Sequence, residues 1–273
     1  MTDRSVSNGH LVIAFLRRDW QYETSYRGMM ILQMFGIVGS LIIFYAIGLL
    51  VDPDATSLQQ YGGEYFPFAL IGLAVSDFFN VGLRSFSNRL RLAQTTGTLE
   101  AMLTTRTPGH VIIGLAGIWD FLVATVRLVV AVLIGAIFLD VRFDVSPVPL
   151  ILTALLSLIC FAALGLLAAA LILVIKRGDA VAAFGNIFAS VFAGALFPID
   201  LLPDGIRWIA YVLPLHYALD GLRRSALVGA SFGQLQGNLI VLGLAALLLV
   251  PLAIFALDRA IQWCREDGTL GMY

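Results

Sequence analysis

The sequence predicts an all-α integral membrane protein with six transmembrane helices. Of its 273 residues 59% are hydrophobic and only 13% are charged, and the mean hydropathy is +0.91. A soluble domain carries roughly 25% charged residues. The missing charge is replaced by long apolar runs, the pattern of a chain dissolved in lipid. This composition excludes a soluble enzyme, a nucleic-acid-binding domain and a disordered scaffold.

Six apolar segments are long enough to cross a bilayer, because about 20 helical residues span its roughly 30 Å hydrocarbon core. They cover residues 29–51, 66–83, 111–139, 148–175, 180–197 and 239–257. No repeat, linker or break in composition divides the chain, so residues 1–273 are predicted to form a single transmembrane domain.

The distribution of basic residues predicts that both termini are cytoplasmic, because Arg and Lys accumulate in cytoplasmic loops. One side of the predicted spans carries Arg4, Arg17, Arg18, Arg27, Arg84, Arg89, Arg91, Arg106, Lys176, Arg177, Arg259 and Arg265. The opposite side carries Arg142, Arg207, Arg223 and Arg224.

Residues 10–27 precede the first span and have the pattern of an amphipathic interfacial helix. Leu11, Ala14, Phe15, Arg18 and Tyr22 recur at helical spacing, with Arg17, Asp19 and Glu23 facing elsewhere. A simple surface anchor and a specific docking role both fit this pattern.

Residues 198–236 are predicted to form an external re-entrant segment. Pro203 and Pro214 interrupt an apolar stretch, and a seventh span would move Arg259 and Arg265 outside, against the charge rule. We therefore expect two short helices that dip into the outer leaflet and return, packed against protein. His216 and Tyr217 lie in this segment, where we expect a structural or interfacial role.

Asp77, Asp120 and Arg127 lie inside predicted spans, where charged side chains are costly and often functional. Asp77 and Arg127 fall at about the same depth, so the sequence predicts an ion pair between spans two and three, with Asp120 nearby. The group either fastens the helix bundle or contacts a substrate. A proton relay is a third reading, although no intramembrane His or Glu extends it.

The cytoplasmic connection between spans two and three, residues 90–107, is predicted to contain a short helix. Leu99, Met102 and Leu103 share one helical face, Gly97 precedes them, and Pro108 stops the helix. An exposed apolar face of this kind suits insertion into a groove on a partner. An interfacial helix has the same spacing.

The run Gly97-Thr98-Leu99-Glu100-Ala101-Met102-Leu103 resembles the Gly-Thr-Leu-Glu coupling-helix motif of ABC type-2 exporter permeases. Residues 197–203, which include Pro198, and residues 213–223 resemble that family's re-entrant helices between spans five and six. Together with the amphipathic N-terminal segment and the six spans, the resemblance covers essentially the whole chain.

The resemblance implies a non-enzymatic permease in a bacterial-type plasma membrane, paired with a second copy or a homologous permease. Each copy would bind a cytoplasmic ABC ATP-binding subunit through Gly97, Thr98, Leu99, Glu100, Met102 and Leu103. ATP and Mg would bind to that subunit, with no cofactor in this chain. The sequence supports this division separately: the only lysine, Lys176, lacks the Gly-x-x-x-x-Gly-Lys context of a phosphate-binding loop.

The family also places spans one, two and five beside the dimer interface and the translocation route. Phe184, Phe188 and Phe192 form a stripe at i, i+4 and i+8 on span five, and Phe35, Phe44 and Tyr45 on span one could add to it. Aromatic rings suit either a sugar or the apolar part of a lipid or drug. Ordinary helix packing explains any single ring equally well.

The substrate therefore stays open between an amphipathic or hydrophobic compound and a lipid-linked glycan or polysaccharide. A different class of function, an ATP-independent channel or secondary transporter, would use Asp77, Asp120 and Arg127 as its coupling site. No metal site is expected, because His10, His110 and His216 do not cluster and no Cys–His spacing resembles a zinc motif.

Overall fold

A computed structural model of the chain describes residues 8–25, 27–51, 56–105, 107–175, 185, 187 and 189–266. The regular secondary structure of these residues is helical throughout. The α-helices are α1 (Asn8–Ser25), α2 (Arg27–Gly48), α3 (Tyr65–Thr95), α4 (Thr98–Leu103), α5 (Gly109–Ala116), α6 (Ile118–Phe138), α7 (Pro147–Ile175), α8 (Asp204–Val212), α9 (Pro214–Leu227) and α10 (Phe232–Glu266). Short 3₁₀-helices cover Thr56–Tyr61 and Ile199–Leu201.

Within the described residues, 4 helical segments are long and apolar enough to cross a membrane: Tyr65–Thr95, Gly109–Phe138, Pro147–Ile175 and Phe232–Glu266. The first predicted span corresponds to α2, whose apolar part, Leu32–Gly48, is shorter. Most of the fifth predicted span, 180–197, lies outside the described residues. The total of six spans therefore stays a prediction.

Two helices extend beyond the predicted spans. The second predicted span, 66–83, continues as α3 to Thr95, and the sixth, 239–257, is the central part of α10. Hydropathy marks the part of a helix that lies in lipid, whereas the backbone stays helical until a residue ends it. For α3 that residue is Gly97, whose φ of +69° is a left-handed conformation that favours glycine. Only Thr98–Leu103 of the predicted coupling region 90–107 forms a separate helix.

The third predicted span, 111–139, is interrupted rather than continuous. Its two parts, α5 and α6, meet at Gly117. A Cβ atom at Gly117 would overlap the ring of Phe86 on α3. The interruption therefore coincides with a close contact that only glycine permits.

Helices α3, α7 and α10 form the centre of the molecule. A Cβ on Gly165 of α7 would overlap the carbonyl oxygen of Gly82 on α3, so these two backbones touch directly. Next to this contact, Phe79 and Phe161 meet edge to face with their ring centroids 5.1 Å apart.

The two ends of this helical core are held together differently. At one end an apolar cluster joins α4, α5, α7 and α10 through Leu103, Ile113, Leu173 and Ile261. At the other end Asp220 accepts hydrogen bonds from Tyr61 at 2.8 Å and from Asn238 at 2.7 Å. Burial, with Asp220 adding to it, raises the pKa of Tyr61 above its ordinary value, so the phenol remains protonated and donates.

The segment predicted to be re-entrant folds as α8 and α9, which are joined at Leu213. Pro198 precedes the 3₁₀-helix, Pro203 precedes α8, and Pro214 is the first residue of α9. Proline is tolerated at these helix starts because its missing N–H would have no partner there. Entry of these helices into the outer leaflet stays a prediction.

Candidate functional site

A polar cavity of about 480 Å³ lies between α2, α3 and α6. We call it the polar chamber. Its polar lining includes Gln33 from α2, Asp77, Asn80, Arg84, Ser85 and Asn88 from α3, and Asp120 and Arg127 from α6. The chamber gathers on facing helices the three intramembrane charged residues that the sequence singles out.

An adjacent cavity of about 350 Å³ is lined mainly by apolar side chains, and we call it the apolar chamber. Gln33, Asp77 and Arg127 line both chambers. Leu70 and Leu73 of α3 and Leu128 of α6 belong to the apolar chamber alone. Both volumes fall within the roughly 300–1,000 Å³ of small-molecule sites.

The ion pair that the sequence predicts is present. Nη2 of Arg127 lies 3.2 Å from Oδ2 of Asp77, which joins α6 to α3 at the boundary between the chambers. The Asp77 side chain is 41% exposed, and that of Arg127 is 19% exposed. Nε of Arg127 and Oδ1 of Asn80 have no hydrogen-bond partner among the described residues.

Asp120 pairs with a residue that the sequence analysis did not connect to it. Its carboxylate accepts hydrogen bonds from Nη2 of Arg89 at 2.5 Å and from the Ser85 hydroxyl at 2.5 Å. Nη1 of Arg89 also lies 3.6 Å from Asp19 of α1. The Asp77–Arg127 pair and this Asp19–Arg89–Asp120 network are therefore separate, although both Asp120 and Asp77 line the polar chamber.

Asp19, which the helical spacing places off the apolar face of the N-terminal helix, is buried against the bundle. It is 2% exposed and lies against Arg18 and Arg89. Helix α1 is also held to α6 by an edge-to-face contact between Trp20 and Trp119, whose ring centroids are 5.8 Å apart. A local pattern could not find this network, because its members are brought together only when α1 packs on the bundle.

The short helix α4 corrects a prediction. Leu99 and Leu103, expected to form an exposed apolar face, are 2% and 7% exposed and pack into the molecule's own core. Met102 is half-buried and, with Leu99 and Thr98, lines a cavity of about 310 Å³ beside α1. The apolar face of α4 therefore anchors the helix to its own chain.

The surface that α4 leaves exposed is formed by small and polar residues. Ala101, Thr104 and Thr105 are exposed, and Gly97 turns the chain just before the helix. Glu100 lies within the helix, and its side chain is outside the described set. Nη2 of Arg265, at the end of α10, donates to the carbonyl oxygen of Leu103 at 2.9 Å and so holds the C-terminal end of α4.

The predicted aromatic route does not form one lining in the described residues. Phe35 is 70% exposed, Phe44 packs against the cluster around Leu41 and Leu70, and Tyr45 meets Phe66 edge to face at 5.4 Å. Phe192 is half-buried. Phe184 and Phe188 lie outside the described residues, so the stripe on the fifth span stays a prediction.

His216 and Tyr217 lie at the junction of α8 and α9. The His216 ring centroid is 5.6 Å from that of Tyr211 and 5.1 Å from that of Tyr217. Burial lowers the pKa of His216 below its ordinary value, which favours the neutral ring. The Tyr217 hydroxyl donates to the carbonyl oxygen of Tyr211 at 3.0 Å and ties the two helices together.

Arg223 is a buried cation that the sequence analysis treated only as a loop charge. It is 2% exposed, and its guanidinium donates to the carbonyl oxygens of Phe68 at 3.1 Å, Gly194 at 2.8 Å and Ala195 at 2.6 Å. The same guanidinium lies 3.4 Å from the centroid of the Phe68 ring. Arg223 thereby fastens α9 to α3 and to the turn at residues 194–195.

Comparison with known proteins identifies one family over most of the chain. The model of the ABC-2 type transporter family matches residues 10–227, which include every helix from α2 to α9 and most of α1. No curated protein matches the chain.

Proposed function

The chain belongs to the ABC-2 type transporter family, and from that premise we propose that it is the permease subunit of an ATP-driven exporter. As a member of this family it is a multi-pass membrane transport component and is not itself catalytic. We propose outward movement of an amphipathic or hydrophobic compound, or of a lipid-linked glycan or polysaccharide. A separate cytoplasmic subunit would bind ATP and Mg and hydrolyse ATP.

The observation that supports coupling to such a subunit is the packing of α4 into the core of its own chain. Leu99 and Leu103 insert between α5, α7 and α10, and Arg265 holds the carbonyl oxygen of Leu103. A close-packed core transmits a displacement rather than absorbing it. A force that the partner applies to the exposed side of α4 would therefore displace α7 and α10. It would also displace α3, which directly precedes α4 in the chain.

We propose that the partner's groove receives the exposed side of α4, formed by Ala101, Thr104 and Thr105, with Glu100 contributing a charge. The buried leucines would act as positioning residues. The N-terminal helix α1 would assist, since Asp19 and Trp20 connect it to the same bundle. Two permease copies, identical or homologous, would form the complex, with all termini cytoplasmic in a bacterial-type plasma membrane.

The first test is co-purification of the full chain from its native membrane in mild detergent. We expect a stoichiometric protein that carries a phosphate-binding loop, with ATPase activity that depends on the permease. Glu100→Arg and Ala101→Trp should each lower transport-coupled ATPase activity at least tenfold, whereas Gln262→Trp, at another exposed position near the end of α10, should leave it unchanged. Thermal unfolding of each variant establishes that the chain still folds.

The second candidate is an ATP-independent channel or secondary transporter, and the polar chamber is the observation that favours it. In that case Asp77, Asp120 and Arg127 would couple transport to an ion gradient. Such a protein would tolerate Glu100→Arg and Ala101→Trp and would purify without an ATP-binding subunit. That pair of results would overturn the exporter proposal.

A further inference from the structure

We propose that the two chambers between α2, α3 and α6 together bind an anionic amphiphile. Its acidic headgroup would lie in the polar chamber beside Arg84, and its alkyl chain would lie in the apolar chamber. The inference rests on the proposed function, since it names the substrate class of that permease.

The first step is the arrangement of the two chambers along the helices. On α3 the lining residues run from Leu70 and Leu73 through Asp77 to Arg84 and Asn88, in steps that keep them on one face. From Leu70 to Asn88 the helix rises about 27 Å, close to the thickness of a hydrocarbon core. The two chambers therefore follow one another along these helices, the apolar chamber at one end and the polar chamber at the other.

Helix α6 shows the same division in the reverse direction, as expected for an antiparallel neighbour. Its lining runs from Asp120 in the polar chamber through Arg127 to Leu128 and Ala131 in the apolar chamber. The Asp77–Arg127 ion pair marks the boundary on both helices. A ligand that fills both chambers must be polar at one end only.

The arginine of the polar chamber that has no carboxylate partner among the described residues selects the sign of the headgroup. Asp77 is paired with Arg127, and Asp120 is paired with Arg89. Arg84 also lines this chamber, and no carboxylate in the described part of the chain lies within ion-pair distance of it. The charged side chains that line the chamber are two aspartates and two arginines, so the lining as a whole is neutral. Both aspartates are held by other arginines, so Arg84 is the charge that is left to attract an anion.

The predicted orientation matches this polarity. With cytoplasmic termini, the Arg84 end of α3 faces the cytoplasm and the Leu70 end lies deeper in the membrane. An amphiphile in the cytoplasmic leaflet has its headgroup at the surface and its chain pointing inward. It would therefore enter the chambers without reversing its direction.

Helix α2 leaves room for a ligand to enter the apolar chamber from the side. A Cβ atom on Gly36, which lines the apolar chamber, would meet nothing within 4 Å. The hydroxyl of Ser40, one turn further, donates to the carbonyl oxygen of Gly36 at 3.0 Å and is therefore satisfied within α2. This face of α2 does not close onto α3 and leaves the apolar chamber accessible from the side.

The test uses the purified full chain in maltoside detergent and decyl phosphate bearing a photoreactive diazirine on its chain. The uncharged comparison probe is the matching decanol. We expect decyl phosphate to label α2, α3 and α6, and to bind at least tenfold more tightly than decanol. Labelling spread evenly over α7 and α10 as well would overturn the proposal.

Three variants test whether Arg84 binds the headgroup and whether the apolar chamber binds the alkyl chain. Arg84→Gln should weaken decyl phosphate at least fivefold and leave decanol within twofold, whereas Arg17→Gln, a matched exposed arginine outside both chambers, should change neither. Ala74→Trp should fill the apolar chamber and weaken both probes. Equal effects of Arg84→Gln and Arg17→Gln would overturn the role of Arg84.

A final experiment distinguishes a transported substrate from a resident lipid. The distinction is needed because both could carry a phosphate and an alkyl chain. In proteoliposomes that contain the ATP-binding subunit, ATP should release bound decyl phosphate from the wild-type chambers. Retention despite ATP hydrolysis would identify a resident lipid and overturn the substrate assignment. Probe binding is measured on the permease alone, so its failure is distinguishable from failure to find an ATPase partner.

Discussion

At the scale of single residues, buried charges in this molecule are stabilised in two different ways. Asp77 and Arg127 neutralise each other between two helices. Arg223 instead donates to three backbone carbonyl oxygens and lies on an aromatic ring, with Asp220 acting only at longer range. A buried cation held by carbonyls is expensive to remove, because its partners are left unsatisfied.

We therefore predict that Arg223→Met destabilises the protein by about 2–4 kcal/mol, since three buried carbonyl oxygens would lose their donor. The adjacent Arg224→Met is a matched control. It removes one ion pair to Asp220 at 3.5 Å, an effect expected to stay below about 1 kcal/mol. Asp220 would keep its hydrogen bonds from Tyr61 and Asn238.

Unfolding by a denaturing detergent, followed through tryptophan fluorescence, measures both variants. Arg223→Lys should fall between them, because an ammonium cannot reproduce the planar fork that reaches three acceptors. Equal stability of Arg223→Met and Arg224→Met would contradict the role assigned to Arg223.

At the scale of helices, the closest contact in the core is the crossing of α3 and α7. Gly82 and Gly165 let the two backbones touch, and Phe79 and Phe161 pack beside them. In lipid, where apolar side chains gain little by leaving their solvent, close packing of this kind supplies much of the attraction between helices.

Gly165→Ala should therefore separate α3 from α7 and destabilise the protein by about 1–3 kcal/mol, because the new methyl group would overlap the Gly82 carbonyl. Gly243→Ala on α10 is the control, since a Cβ atom there meets nothing within 4 Å. The control should be neutral or stabilising, because alanine is the better helix former. Thermal unfolding in detergent compares the two, and a loss confined to Gly243→Ala would refute the contact.

At the scale of the whole molecule, the described helices place α1, α4 and the C-terminal part of α10 at one end of the bundle. The apolar cluster of α4, α5, α7 and α10 and the contact of Arg265 with Leu103 define that end. The hydrogen bonds of Asp220 with Tyr61 and Asn238 define the other. The concentration of arginine at the first end predicts that it is cytoplasmic.

Two single cysteines test this orientation in intact cells with a membrane-impermeant maleimide. Asp204→Cys, on a side chain that is 94% exposed, should react in intact cells. Thr104→Cys, next to α4, should react only after the membrane is opened. The native Cys160 and Cys264 are buried and give little background labelling. Reaction of Thr104→Cys in intact cells would contradict the predicted topology.

The family and much of the candidate site can be predicted because they depend on position along the chain. Hydropathy marked the lipid-crossing parts of α3, α6, α7 and α10, and the coupling-helix motif pointed to the family that the family model confirms. The Asp77–Arg127 pair followed from depth alone, since two charges at the same level on neighbouring spans have little else to pair with.

Hydropathy and charge in this protein determined its membrane class and the predicted depth of its charged residues, and its sequence motifs pointed to the family. The tertiary structure decided which face of each helix is buried. It turned Leu99 and Leu103 of α4 inward, joined Asp19 to Arg89 and Asp120, and buried Arg223 among carbonyl groups. The physical reason is that hydropathy fixes where a residue lies along the membrane normal, whereas the rotation of a helix about its axis is fixed only by contacts with segments distant in sequence.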